Sequence, residues 1–190
     1  MGRRIGLTPS SVVDTAVEIA DRDGLDGVTL AAVAGRLGVR SPSLYAHVEG
    51  LAGLRRALGL RAAAALASHL VAARRGRQGT AALRSVARAY RDFALAHPGL
   101  YAAAQQTIPP GKDDELYRAI AETVMPVVET LVEMGVAPAD VIHHTRAIRS
   151  ALHGFVSLER GNGFGMAVDF AESFDRLVTL LASGLVGTPG

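Results

Sequence analysis

The amino-acid sequence predicts an all-α protein of about nine helices: a three-helix N-terminal domain with a helix-turn-helix, then a larger helical domain. Three observations carry that prediction. Hydrophobic residues make up 49% of the chain but aromatics only 5%, with no Trp, so the core is built from Ala, Leu and Val; Ala and Leu are strong helix formers. From residue 8 onward, apolar residues recur at helical spacing between start and stop signals. Nowhere does an alternating, β-branched pattern persist for more than a few residues, so no strand is expected.

The first helix opens with Thr8 as N-cap and Pro9 at the first helical position, and Gly24 stops it. Its buried face is Val12, Ala16, Ile19 and Ala20. Thr29 can cap a short second helix with the stripe Leu30, Val33, Ala34 and Leu37, ended by Gly38, a residue that tolerates a left-handed backbone. Ser41-Pro42 repeats the start signal for a short third helix, Pro42 to about His47. A long helix follows from about Leu51 to Ala73, then a basic, Gly-containing break over 74–79. Further helices are expected near 80–97, 99–106, 113–134 (kinked at Pro126), 138–160 and 167–185. Asp113-Asp114-Glu115 is an acidic helix start, favoured by the helix dipole. Ile108-Pro109-Pro110-Gly111 and Gly161-Asn162-Gly163 are loops.

A chain of 190 residues is long enough for one large domain or two small ones. The absence of cysteine removes disulfide, thiolate-metal and cysteine-nucleophile chemistry and fits a reducing compartment. The longest apolar stretch, Ala62 to Ala73, contains Ser68 and His69 and is far short of the roughly 18 residues that span a bilayer. No hydrophobic run follows Arg3 and Arg4, so no signal peptide is expected, and the expected location is the cytoplasm. The net charge of +2 hides a split: residues 1–91 balance to +8 and residues 92–190 to −6. Such asymmetry suggests an anion-facing N-terminal part, with nucleic acid or a membrane surface as candidate partners. Of the 20 basic residues 19 are Arg, which suits forked phosphate and guanine contacts and equally fits a GC-rich genome.

Two short helices joined through Gly38-Val39 form a helix-turn-helix, whose second helix can lie in a DNA major groove. With Leu44 and Val48 turned inward, Arg40, Ser41, Ser43, Tyr45 and His47 are left near the surface. Leu37-Gly38-Val39, Ser43-Leu44-Tyr45-Ala46-His47-Val48 and Leu54 stand in one register, and over about residues 8–61 the chain resembles the DNA-binding domain of the TetR family of transcriptional regulators. The resemblance implies that Tyr45 and His47 hydrogen-bond phosphate oxygens, contacts that set register without reading sequence; otherwise Tyr45 caps the helical core and His47 is a surface residue. Arg40, Ser41, Pro42 and Ser43 form the end of the recognition helix that meets base edges. There Arg40 can bind guanine O6 and N7 or touch only phosphate, Ser43 can hydrogen-bond a base, and the Pro42 ring can pack on a thymine methyl. Thr29 can receive a phosphate at its helix N-terminus as well as cap the helix. Arg3 and Arg4 either reach the minor groove or phosphate, or are simply solvated. Where the family usually has a Lys, this chain has Leu51, so one phosphate clamp is missing or supplied elsewhere, as by Arg55.

His97-Pro98-Gly99-Leu100-Tyr101 and Leu152-His153-Gly154-Phe155-Val156-Ser157-Leu158-Glu159 are similar to one family subgroup, the WHG type, although Arg149 stands where that subgroup commonly has a Trp. In the family the last two long helices of each subunit form a four-helix dimer interface. Ala147, Ser150, Gly154 and Ser157 make a small-residue stripe suited to close helix approach, and Phe170, Phe174, Leu177 and Leu181 a complementary apolar face; the alternative is packing within one chain. His143 and His144 diverge by about 100° on a helix and do not chelate one ion. His153 shares a face with Arg146 and Arg149, a setting hostile to a cation, so no metal is expected. No catalytic motif is present, and neither an enzyme nor a cofactor is expected.

The expectation is therefore a homodimeric regulator, a DNA-binding domain over about 1–60 and a regulatory, ligand-binding and dimerisation domain over about 61–190. Its partners are an operator in double-stranded DNA, a second copy of itself and a small lipophilic effector, with no membrane. Candidate pocket residues are Phe93, Tyr101, Tyr117, Arg149 and His153: a mostly apolar pocket with one or two polar anchors. The alternatives are a regulator or activator without an effector, and a helical ligand-binding or enzymatic domain with a vestigial helix-turn-helix.

Overall fold

The computed structural model describes residues 7–112 and 114–186. Arg3, Arg4 and Asp113, named above, lie outside them. The described residues hold eight α-helices and two short 3-10 segments, with no strand. The helices are α1 (Pro9–Asp23), α2 (Leu30–Leu37), α3 (Gly50–Arg74), α4 (Gly79–Ala96), α5 (Pro98–Gln106), α6 (Glu115–Glu133), α7 (Pro138–Arg160) and α8 (Phe170–Val186), and the 3-10 segments are Leu25–Gly27 and Ser41–Ala46. Every helix expected from periodicity is present, to within about three residues at each end.

The chain divides into two compact units, residues 1–64 with 97–120, and 65–96 with 121–190. This differs from the expected split near residue 60. The reason is local: α5 and the start of α6 pack with the N-terminal helices, while α3 runs unbroken through the boundary.

In the first unit, Thr8 and Ser11 cap α1 reciprocally: the Ser11 N–H donates to Thr8 Oγ1 (3.1 Å) and the Thr8 N–H to Ser11 Oγ (2.9 Å). Val12, Ala16, Ile19 and Ala20 are buried as their spacing predicts, as are Val33, Ala34, Leu44, Leu54 and Leu58. Helix α5 seats on α1 through Gly99, where a Cβ would lie 2.1 Å from the carbonyl carbon of Ala20. Asp21 at the end of α1 then caps α5, its Oδ1 accepting from the Gly99 and Leu100 N–H groups at 2.7 and 3.2 Å. A second tie runs from α3 to the start of α6: the Arg56 guanidinium forks onto both Asp114 oxygens at 2.9 Å, while Asp114 Oδ1 also accepts from the Leu116 N–H. Those bonds hold the Asp114 carboxyl below the usual carboxylate range.

In the second unit, α4, α7 and α8 pack on one another around Leu83, Val86, Phe93, Ile148, Leu152, Val156, Phe174 and Val178. Inside this apolar setting Arg91 forks onto Glu159, Nε donating to Oε2 at 2.8 Å and the second nitrogen to Oε1, and its guanidinium carbon lies 5.5 Å from the Phe174 ring centroid. Arg88 forks onto Asp175 at 2.9 and 2.7 Å. Arg74 meets Thr130, Glu129 and Glu133 of α6. Pro126 lies inside α6, where Thr130 Oγ1 donates to the Pro126 carbonyl at 2.7 Å.

Candidate nucleic-acid interface

The turn that separates α2 from the next segment depends on Gly38. At φ +69° it adopts the left-handed conformation, its N–H returns to the Gly35 carbonyl, and the Val39 N–H bonds the Ala34 carbonyl at 3.0 Å. The segment that follows departs from expectation in its helix type. Ser41–Ala46 is a 3-10 helix with Arg40, not Ser41, in the capping position and no side-chain cap. Six residues with a proline near the start, which has no N–H to give, are too short to settle into α-helical bonding; the bonds run Ser43 N–H to Arg40 carbonyl and His47 N–H to Leu44 carbonyl, both 2.9 Å.

That geometry sorts the candidate contacts. With three residues per turn, side chains three apart lie in line. Ser41, Leu44 and His47 form one line, with Leu44 fully buried and the other two half-buried. Arg40, Ser43 and Ala46 form a second, Pro42 and Tyr45 a third, and all five are exposed. Tyr45 is 63% exposed, so its ring is no part of the core. Arg40 has no ion-pair partner among the described residues, whereas Arg36 on the preceding helix is tied to Glu18 at 3.2 Å. The segment thus presents an unpaired guanidinium, a hydroxyl, a proline ring and a phenol on a rigid, leucine-anchored turn.

Thr29 is exposed and caps α2, its Oγ1 accepting from the Ala32 N–H at 3.0 Å; the hydroxyl proton stays available to a phosphate oxygen. Leu51 is half-buried at the start of α3. One turn on, Arg55 is exposed and has no ion-pair partner among the described residues. It lines a cavity of about 400 Å³ together with Leu25, Asp26, Gln106, Thr107 and Ile108.

The other candidate residues fall as follows. On α7, Ala147, Ser150 and Ser157 are exposed, and Gly154 is half-buried with no heavy atom within 4 Å of where its Cβ would stand. On α8, Phe170, Leu177 and Leu181 are half-buried. Phe174 is a correction: it is buried in its own unit, its ring 5.2 Å from Phe155 and beneath Arg91, so it belongs to the core and not to an outward face. Leu180, 70% exposed beside Leu177 and Leu181, extends the apolar surface of α8 and was not singled out from the sequence. The five pocket candidates are divided between units. Phe93 is buried in the second, 6.0 Å from the His69 ring, with Arg149 exposed and His153 half-buried on α7. Tyr101 is buried and Tyr117 exposed in the first. No helix among the described residues is long and apolar enough to cross a membrane.

Residues 83–181 match the family of tetracyclin repressor-like C-terminal domains. Along nearly the whole chain, the sequence is 38% identical over 188 residues to the HTH-type transcriptional regulator YobS of Bacillus subtilis (strain 168), covering 98% of this chain and 96% of that protein. It is 36% identical over 186 residues to the HTH-type transcriptional regulator Rv0681 of Mycobacterium tuberculosis (strain H37Rv), covering 97% and 84%. The fold matches that of the transcriptional regulator SCO7222, a TetR from Streptomyces coelicolor, with a TM-score of 0.70 at 24% identity over 95% of this chain and 98% of that one.

Proposed function

The chain belongs to the TetR family of DNA-binding transcriptional regulators, and from that premise we propose that it is a homodimeric repressor released from a pseudo-palindromic operator by a small lipophilic ligand. The observation that carries the DNA-reading part is the 3-10 segment, whose outward lines hold Arg40, Ser43, Pro42 and Tyr45 while Leu44 fixes it from within. In this proposal Arg40 reads a guanine, Ser41, Pro42 and Ser43 meet neighbouring base edges, and Tyr45, His47 and Thr29 hold phosphates. Two copies associate through α7 and α8, using Ala147, Ser150, Gly154 and Ser157 with Phe170, Leu177 and Leu181. That pairing sets the two recognition segments about one DNA turn, roughly 34–36 Å, apart. The effector acts by binding better to a form that no longer fits the operator. The protein acts in the cytoplasm and has no catalytic role.

Selection of binding sites from a random DNA pool tests the assignment. Tyr45→Ala and His47→Ala are expected to weaken all sequences alike, because they remove phosphate contacts. Arg40→Ala is expected also to relax base preference at one position per half-site by about 1–3 kcal/mol. An Arg40→Ala protein that returns the wild-type consensus at full sharpness contradicts the base-reading role.

A further inference from the structure

The cavity beside Arg55 belongs wholly to the first unit. Its lining comes from the turn between α1 and α2 (Leu25, Asp26), from α3 (Arg55, Leu58), and from the end of α5 and the loop after it (Ala103, Ile108). On the Thr107 side the wall is closely packed: a Cβ on Gly59 would lie 2.7 Å from the threonine side chain.

Three features define what fits. First, Arg55 is a cation with no ion-pair partner among the described residues, although its neighbour Arg56 is fully used by Asp114. A forked guanidinium facing a cavity suits a carboxylate. Second, Leu25, Leu58, Ala103 and Ile108 give the cavity an apolar side, and Ile108 leaves 86% of its surface exposed at the margin. Third, Asp26 lines the same cavity and likewise has no ion-pair partner among the described residues. A second negative charge on the ligand meets that carboxylate as a like charge, so a monoanion is favoured over a phosphate dianion or a diacid. The volume of about 400 Å³ equals that of about thirteen waters at 30 Å³ each, enough for a ligand of roughly ten heavy atoms.

We propose that this cavity binds a monocarboxylic acid with an apolar body, its carboxylate on Arg55 and its chain against Leu25, Leu58 and Ile108. The site touches the α1–α2 turn, from which α2 starts, and the first turns of α3, which follows the recognition segment directly. Its occupancy is therefore coupled to DNA affinity, reciprocally. The proposal stands apart from the lipophilic effector above, and direct binding measured without DNA keeps the two separable.

Titration calorimetry of the full-length protein with octanoate tests it, with octanamide and the eight-carbon diacid suberate as comparisons. Octanoate is expected to bind, with the amide and the diacid each at least tenfold weaker. Arg55→Gln is expected to bring octanoate down to the level of the amide. Ile108→Ser, at an exposed position where folding is not at stake, is expected to weaken octanoate several-fold. The proposal is overturned by any of three results: no octanoate binding up to millimolar concentration, equal binding of acid and amide by the wild-type protein, or unchanged octanoate binding by Arg55→Gln. The last of these, joined to a loss of DNA binding in the same variant without ligand, assigns Arg55 to DNA phosphate instead.

Discussion

Gly99→Ala is expected to destabilise the protein by about 3 kcal/mol, the upper end of overpacking costs. The added Cβ would lie 2.1 Å from the Ala20 carbonyl carbon and 2.4 Å from both the Ala20 oxygen and the Asp21 nitrogen. These are backbone atoms, so no side-chain rotation relieves the overlap, and α5 has to lift from α1. Lifting it also strips the Gly99 and Leu100 N–H groups from Asp21, leaving a helix start without its cap. Gly35→Ala is the matched control. It too places a methyl group on a helical glycine, but nothing lies within 4 Å, and the expected effect is a gain of about 0.5–1 kcal/mol from helix propensity. Urea unfolding of both variants beside wild type reads the difference directly. A Gly99→Ala midpoint equal to that of wild type would show that α5 does not seat on α1 in this way.

The second large effect is expected in the other unit. Arg91 and Glu159 leave only 16% and 9% of their side chains exposed, so each charge depends on the other for the solvation it has lost. Glu159→Gln leaves the guanidinium buried without its counter-charge, and a loss of about 3 kcal/mol is expected. Arg91→Met should cost a similar amount, since it strands the carboxylate and also removes the cation above the Phe174 ring. The paired variant Arg91→Met with Glu159→Leu fills the same space without charge and is expected to recover most of either single loss. A double-mutant cycle by urea unfolding shows this as strong non-additivity, and simple addition of the two single losses would mean the pair is not coupled.

Much of the architecture was legible because helix signals are local. Thr8-Pro9, Thr29 and Gly38 act on bonds within one turn, and the structure uses each as its chemistry dictates. The recognition segment was legible in position but not in type. Ser41-Pro42 resembles a helix start, yet six residues give too few i to i−4 bonds for an α-helix to outweigh the tighter 3-10 turn.

The charge split pointed to the right class of partner but not to the residues that meet it. The excess of arginine in residues 1–91 points to an anionic partner, but Arg22, Arg36, Arg56, Arg61, Arg74, Arg88 and Arg91 each face an acid of the same chain. Several of those acids, among them Asp114, Glu129, Glu159 and Asp175, come from the acidic C-terminal half. Part of the asymmetry along the sequence is thus cancelled in space, while Arg40 and Arg55 have no ion-pair partner among the described residues. Contacts between distant segments carried no local trace. Gly99 looks like part of a Pro-Gly helix start until α1 is seen against it, and Phe174 shares a helical face with Leu177 and Leu181 until Phe155 and Arg91 close over it.

The central claim, a dimer that reads DNA through the segment from Arg40 to His47, is tested most directly by footprinting on the DNA that flanks the protein's own gene, at about 0.15 M salt, where non-specific phosphate binding is weakened. The wild-type protein is expected to protect two symmetric half-sites centred about one helical turn, 10–10.5 base pairs, apart or a whole multiple of that. Gly154→Arg, which puts a bulky charge on the proposed α7 interface, is expected to remain helical and to lose both footprints together. Protection of an isolated half-site by the wild-type protein, or a Gly154→Arg footprint identical to that of wild type, would contradict the claim.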